Sequence, residues 1–285
     1  MEIGDALANL LEQLEHDRSL LEAGQLRQRV DALDKLEAYL SDEARVGIAL
    51  QQRARSICAE LEAINCRLYE ALRRSIQRGE AGGRLLEWMP DRNGAGDLTD
   101  QRGYDYLDDL ICGVLQLEEP SPEFTRLGSE MVGYQPTPAR HIFDFIERTA
   151  LTERDCLIDL GSGLGHVALV ASICSGARCT GIELEPAYVD CARKCARSLR
   201  LNNVRFLQGD ARAANLSSGT LFYLYTPFTG GVLRKVLNSL RREANQREIR
   251  IGTFGPCTRM VADEEWLSVI GVLEPERISL FSSRT

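Results

Sequence analysis

Residues 157–167 read LIDLGSGLGHV, and the reading of the whole chain follows from that stretch. An apolar run reaches Asp159, and glycines then recur at Gly161, Gly163 and Gly165. The pattern predicts a buried strand, a turn too tight for side chains, and the start of a helix. Glycine at alternate positions lets the backbone take positive φ and come close to a bound molecule. A helix beginning there offers unpaired N–H groups at its N-terminus. The stretch therefore reads as a nucleotide-type binding loop.

Working outward from the loop, strands and helices alternate. Tyr134 to Pro138 (YQPTP) is extended and pinned by prolines, and it leads into a helix with Ile142, Phe145 and Ile146 on one face. The first strand is Cys156 to Leu160, and the helix after the glycines runs from about Leu164 to Ser172. A second strand covers Cys179 to Glu183, and Pro186 suits the first turn of the next helix, which reaches about Leu201. Val204 to Leu207, Thr220 to Tyr225 and Ile249 to Phe254 are further strands, with a helix over Val232 to Asn245. Trp266 to Val272 and Arg277 to Ser282 suit a closing hairpin. Alternation of this kind predicts a parallel sheet covered by helices on both faces. Ligands of such sheets bind at the carboxyl ends of the strands, beside the switch in strand order. The glycine loop lies at such an end.

The N-terminal part has a different character. From Ile3 to about Arg78 there is no proline, and apolar residues recur at helical spacing. Ile3, Leu7, Leu10, Leu11 and Leu14 form one series, and Val30, Leu33, Leu36 and Leu40 another. Ser41 and Asp42 are candidates to cap the next helix, whose apolar face carries Ile57, Leu61, Ile64, Leu68, Leu72 and Ile76. Cys58 and Cys66 fall on or near that face as buried thiols. Gly79 to Gly83 and Pro90 to Thr99 are loop signals. A helix from Tyr104 to Leu117 follows, with Asp105, Asp108 and Asp109 on a solvated face. These features divide the chain into a helical domain, 1–120, and an α/β domain, 121–285.

Composition narrows the functional classes. A hydrophobic share of 44% with 27% charged residues fits a soluble globular protein. No apolar run approaches the ~20 residues that span a bilayer, and MEIGDALANL does not resemble a secretory signal. Nine cysteines, with no CxxC pair, fit reduced thiols in a cytoplasm. Residues 1–120 hold 14 Lys/Arg against 24 Asp/Glu, a balance of −10, whereas residues 121–285 hold 20 against 18, a balance of +2. An acidic half repels a phosphate backbone, so nucleic acid is disfavoured as a partner.

The glycine spacing decides between nucleotides. A dinucleotide fold wants G-x-G-x-x-G, and a P-loop wants a lysine that is absent here. Asp159-x-Gly161-x-Gly163-x-Gly165 resembles the first motif of class I S-adenosylmethionine-dependent methyltransferases. Two further acids fall where that family has them. Glu183, in GIE, ends the second strand, and Asp210, in GDA, follows the third. Within the family, DLGSGLGHV followed by GIE is most similar to the Dot1-type protein methyltransferase branch.

The resemblance implies a Rossmann-like class I methyltransferase fold, a seven-stranded and mostly parallel sheet, over roughly residues 133–285. It implies S-adenosyl-L-methionine as cofactor. Glu183 would then accept from both ribose hydroxyls, since a carboxylate is acceptor-only with two oxygens. Asp210 would accept from the adenine amino group, with the Ala211 N–H facing the ring. Asp159 would sit near the methionine amino group, and Gly161, Ser162, Gly163 and Gly165 near its carboxyl end. YQPTP matches the element that closes over the methionine end, with Tyr134 and Thr137 as contacts.

On the acceptor side, the fourth strand ends in Tyr225-Thr226-Pro227-Phe228. Methyltransferases acting on the amino groups of bases or amides carry D/N-P-P-Y/F/W there. Tyr225 replaces their carboxylate or amide, which argues against nucleobase N-methylation, while Tyr225 and Phe228 remain candidates to line the acceptor pocket. His166 falls on the first helical turn near the cofactor. Cys191 and Cys195, four apart on a helix with no third ligand nearby, read as packing rather than metal. The expected function is methyl transfer to a protein side chain or a small molecule. The alternative is a non-catalytic protein that binds the same cofactor as a sensor or scaffold.

Overall fold

The computed structural model describes residues 3–41, 47–80, 85–89, 105–120, 134–226, 228–274 and 277–284. The loop expected over Pro90 to Thr99 lies outside them, as do Asp42, Gly83 and Pro227. Two compact units are present. The first comprises Met1–Arg74 and Asp105–Val114, and the second Ser75–Tyr104 and Leu115–Thr285.

The first unit is helical. Its elements are α1 (Ile3–His16), α2 (Leu26–Leu40), most of α3 (Ile48–Gln77) and most of α4 (Tyr106–Leu115). Leu7, Leu11, Leu36, Ala54 and Cys58 form one buried cluster and Leu20, Ala32 and Leu61 another. Two local expectations need correction. Ser41 closes α2 as its C-cap, its hydroxyl donating to the Ala38 carbonyl, and the next helix begins only at Ile48. Cys66 is exposed, unlike Cys58, because it lies two residues from both Ile64 and Leu68, a spacing that turns it away from their stripe. The acids of α4 do more than meet solvent. Asp105 accepts from the Leu107 N–H, and Asp108 accepts from the Asp105 N–H, a reciprocal N-terminal cap.

Arg29 on α2 is fully buried. Its guanidinium donates to Asn65 Oδ1 and to the carbonyls of Leu20, Glu22 and Ala23, all of them neutral oxygens. A planar fork with five donors suits this divergent set, and an ammonium does not. Arg29→Lys is expected to lower stability by about 1–2 kcal/mol, because carbonyls left buried without a donor carry their full desolvation penalty. Urea unfolding monitored by circular dichroism reads this directly.

The second unit is built on α5 (Ala139–Thr149), β1 (Cys156–Leu160), α6 (His166–Ser175), β2 (Arg178–Glu183), α7 (Pro186–Ser198), β3 (Val204–Gln208), β4 (Leu221–Tyr225), α8 (Gly230–Ala244), β5 (Arg250–Phe254), α9 (Cys257–Ala262), β6 (Leu267–Ile270) and β7 (Ser279–Ser283). The seven strands lie in the order β3-β2-β1-β4-β5-β7-β6. Strands β1 to β5 run parallel, whereas β7 is antiparallel to both β5 and β6. This is the Rossmann-like sheet of class I methyltransferases, and the hairpin forms its last two strands. The strand order reverses between β1 and β4, which opens the crevice where such sheets bind ligands. Helix α9 has no counterpart in the sequence reading. Six residues after Gly255 and Pro256 are too few for an apolar period to register.

The two faces of the sheet differ. Ile158, Leu160, Phe222, Leu224, Ile251 and Phe281 belong to one apolar cluster with Leu233, Val236, Leu237 and Leu240 of α8. On the opposite face, Phe206, Gly181, Asp159, Tyr223 and Gly252 are successive partners across β3, β2, β1, β4 and β5. The two glycines make room for rings. A Cβ at Gly181 would lie 2.5 Å from the Phe206 ring, and one at Gly252 would lie 2.5 Å from the ring of Phe145 in α5. Glycine inside a strand marks such close approach.

Candidate active site

The loop after β1 turns by the route its glycines allow. Gly161, Gly163 and Gly165 have φ of 83°, 51° and 87°, a region that a Cβ makes costly. The N–H groups of Gly161 and Ser162 both donate to the Ile182 carbonyl, at 2.9 and 3.0 Å, which ties the loop to β2. Gly165 N donates to the Ser162 carbonyl at 2.8 Å, so a turn closes before α6 begins at His166. That turn is why the helix starts two residues later than its apolar pattern suggests.

Glu183 ends β2 beneath this loop. Its Oε2 accepts from Gly163 N at 2.9 Å, and its Oε1 accepts from the N–H groups of Leu184 and Glu185 at 2.7 and 2.9 Å. A carboxylate has about four acceptor sites, so three N–H donors leave it room for a hydroxyl. The Gly209 N–H donates to the Glu183 carbonyl, which draws the end of β3 to the same place.

Asp159 is 3% exposed. Burial, helped by the nearby Glu183 charge, pushes its carboxyl up to about 8. Among the described residues nothing donates a hydrogen bond to it. Ser162 is also buried, and among the described residues its hydroxyl has no hydrogen-bond partner. A buried acid and an unsatisfied buried hydroxyl beside a glycine loop fit a ligand that brings a cationic group and hydrogen-bonding groups of its own.

Asp210 follows β3 as expected, but its carboxylate is already engaged. It caps the short turn Ala211–Ala213 through the Arg212 N–H and holds the Arg212 guanidinium with both oxygens. The Arg212 hydrogen bond holds this carboxyl below its usual range. For Asp210 to accept from an adenine amino group, Arg212 must swing aside. Ala211 is buried beside it.

Tyr134 lies against the loop. A Cβ on Gly163 would fall 2.3 Å from its ring, its hydroxyl is 3.1 Å from His166 Nδ1, and its ring centroid is 5.1 Å from that of Tyr188. Burial pushes the His166 imidazole down to about 4, so at neutral pH it carries no charge. Thr137 is buried, and its hydroxyl is 2.9 Å from Tyr223 Oη.

The structure separates the two acceptor-side candidates. Tyr225 is half-buried at the end of β4, its ring 4.8 Å from Phe254, which in turn lies 4.7 Å from His141. Phe228 instead is 2% exposed and packs in the apolar cluster beneath α8. The turn at Thr226, with φ of 38°, directs the chain inward, and Thr226 Oγ1 both donates to the Phe254 carbonyl and accepts from Cys257 N. The rings beside Tyr225 are Phe254 and, behind it, His141. The aromatic end of IGTF was their sequence signal, since Phe254 is the register partner of Tyr225. Cys191 and Cys195 direct their thiols to the carbonyls of Glu118 and Leu115.

Comparison with known proteins agrees with this geometry. Residues 157–243 match the family model described as a methyltransferase domain. A curated relative is the histone-lysine N-methyltransferase, H3 lysine-79 specific, of Cryptococcus neoformans, 41% identical over 63 residues. The match takes in 21% of this chain, and the chain spans about 10% of that relative's length. Among solved structures, an RNA methyltransferase from Salinibacter ruber in complex with S-adenosyl-L-homocysteine is 28% identical, covering 52% of this chain and 92% of that one, with a TM-score of 0.42. Precorrin-6y C5,15-methyltransferase from Geobacter metallireducens is 15% identical, covering 54% and 92%, with a TM-score of 0.41. Residues 157–243 thus carry a methyltransferase domain. No helix among the described residues is long and apolar enough to cross a membrane.

Proposed function

We propose that this chain methylates an amine on a protein side chain, in the manner of the Dot1-type branch, with residues 121–285 as the catalytic domain and 1–120 as a helical N-terminal domain. The observation that carries the reading is the bond from Gly163 N to Glu183, which joins the glycine loop and the β2 acid beside the switch in strand order. The stretch shared with the fungal lysine methyltransferase supports the protein substrate.

In this reading Glu183 accepts from a ribose hydroxyl at its remaining acceptor site, Asp210 and the Ala211 N–H receive adenine, and Asp159 faces the amino group. Gly161, Ser162, Gly163 and Gly165 give the amino-acid end backbone room, and Tyr134 covers it. When bound, the cofactor supplies a methyl group on a sulfonium, ready for in-line displacement. The protein's part is alignment and a face that tolerates cations. Tyr225 and Phe254 form such a face by cation–π attraction. Burial pushes the Tyr225 hydroxyl up, so it stays protonated at neutral pH and is no base. The amine must therefore arrive neutral.

Calorimetry should show binding of S-adenosylmethionine and S-adenosylhomocysteine but not NAD, with binding lost in Glu183→Ala. Incubation of protein extract with a labelled methyl donor should label protein bands. Binding of NAD without S-adenosylhomocysteine would overturn the reading, and label confined to small molecules would overturn the protein substrate.

A further inference from the structure

We infer that Tyr223 is a positioning residue for the cofactor: it anchors the Tyr134–Pro138 segment through Thr137 and so sets where Tyr134 meets the glycine loop. The inference rests on the proposed cofactor role of that loop. Thr137 was expected to touch the ligand itself, yet its hydroxyl lies 2.9 Å from Tyr223 Oη, and the two residues are 6% and 1% exposed.

Three observations make this contact more than a satisfied core tyrosine. First, side-chain hydroxyls hold the segment at both ends, beside the Pro138 carbonyl that accepts from the His141 and Ile142 N–H groups. Pro136 and Pro138 themselves have no N–H to donate. Tyr134 bonds at one end to His166 and Thr137 at the other to Tyr223. Second, the Tyr223 ring is itself held, 5.3 Å from Phe145, and that helical ring reaches it only because Gly252 has no side chain. Third, Tyr223 is the register partner of Asp159 on β1. One strand position thus sits beside the buried acid and also holds the segment whose Tyr134 lies on Gly163.

The hydroxyl pair acts at a distance, by placing Tyr134 on Gly163, and touches no ligand. Removing it should let the segment ride away from the loop and weaken ligand binding while the fold survives, since Tyr223→Phe changes no volume of consequence.

The test is calorimetric titration of wild type, Tyr223→Phe, Thr137→Val, the double variant and Thr137→Ser with S-adenosylhomocysteine, each checked by thermal unfolding without ligand. Tyr223→Phe and Thr137→Val should each raise Kd about tenfold, in keeping with one net hydrogen bond. The double variant should be no weaker than either single one, and Thr137→Ser should recover most of the affinity lost in Thr137→Val. A merely structural hydroxyl pair would lower the unfolding temperature and leave Kd where it was. Equal Kd in wild type and both single variants, or additive losses in the double variant, would overturn the anchor alone. No binding by wild type would overturn the cofactor reading and the anchor with it.

Discussion

Asp159→Asn is expected to be more stable than wild type at pH 8 and to bind S-adenosylmethionine at least about a hundredfold more weakly, the order of a lost charge-assisted hydrogen bond. Both effects come from one buried carboxyl. Its folded pKa of about 8 lies above the unfolded value of roughly 3.9. Below that unfolded value the group is protonated in both states and its contribution to stability is fully present. As pH rises, the unfolded chain ionises while the folded chain does not, and stability falls by up to about 1.4 kcal/mol per pH unit until the folded group ionises too. Asparagine has no such slope. The variant's advantage should therefore be small at pH 4, grow toward pH 8, and reach up to about 5 kcal/mol there, on the order of ten degrees in Tm. In the proposed role the carboxylate faces a cation, so binding to wild type at pH 7 should release about one proton. Calorimetry in buffers of different ionisation heat detects that release. A flat difference in Tm between pH 4 and 8, or unchanged affinity, would contradict the assignment.

Gly163→Ala is expected to lose about 2 kcal/mol of stability and most ligand affinity, although it adds one methyl. The φ of 51° costs a Cβ about 1 kcal/mol or more, and the methyl would fall 2.3 Å from the Tyr134 ring. Tyr134 must then leave, and its hydrogen bond to His166 goes with it. Adding Tyr134→Ala should recover the part of the stability lost to collision but not the affinity, because the ring would be gone. Gly24→Ala provides a control, since no atom lies within 4 Å of its added methyl. Unfolding temperature and S-adenosylhomocysteine Kd, measured on all four proteins, separate the two contributions.

Much of this was legible in the sequence. The strand at Cys156–Leu160 and the alternation after it follow from apolar runs punctuated by glycine and proline, which act locally, whereas the strand order and the closing hairpin came with the family resemblance. What escaped depends on backbone turns and on side-chain partners that only the fold selects. Phe228 looks like a pocket aromatic in YTPF, and only the turn at Thr226 sends it into the core. Asp210 looks like a ready acceptor, and the arginine two residues later occupies it. Tyr223 is a phenol inside an apolar strand, and a buried phenol needs a partner. The identity of that partner, Thr137, 86 residues earlier, is set by the fold. Gly181 and Gly252 carried the same kind of signal, a strand glycine that marks an approaching ring.

The two faces of β1 and β4 are subject to different constraints. Ile158, Leu160, Phe222 and Leu224 face α8 and need only volume and oiliness. Asp159 and Tyr223, each beside them in sequence, are bound by their chemistry. Neighbouring residues in these strands can therefore change almost independently, and the oily layer can be repacked without rewriting the polar one. A lineage built on this sheet has freedom to drift in thermal stability while its ligand stays the same.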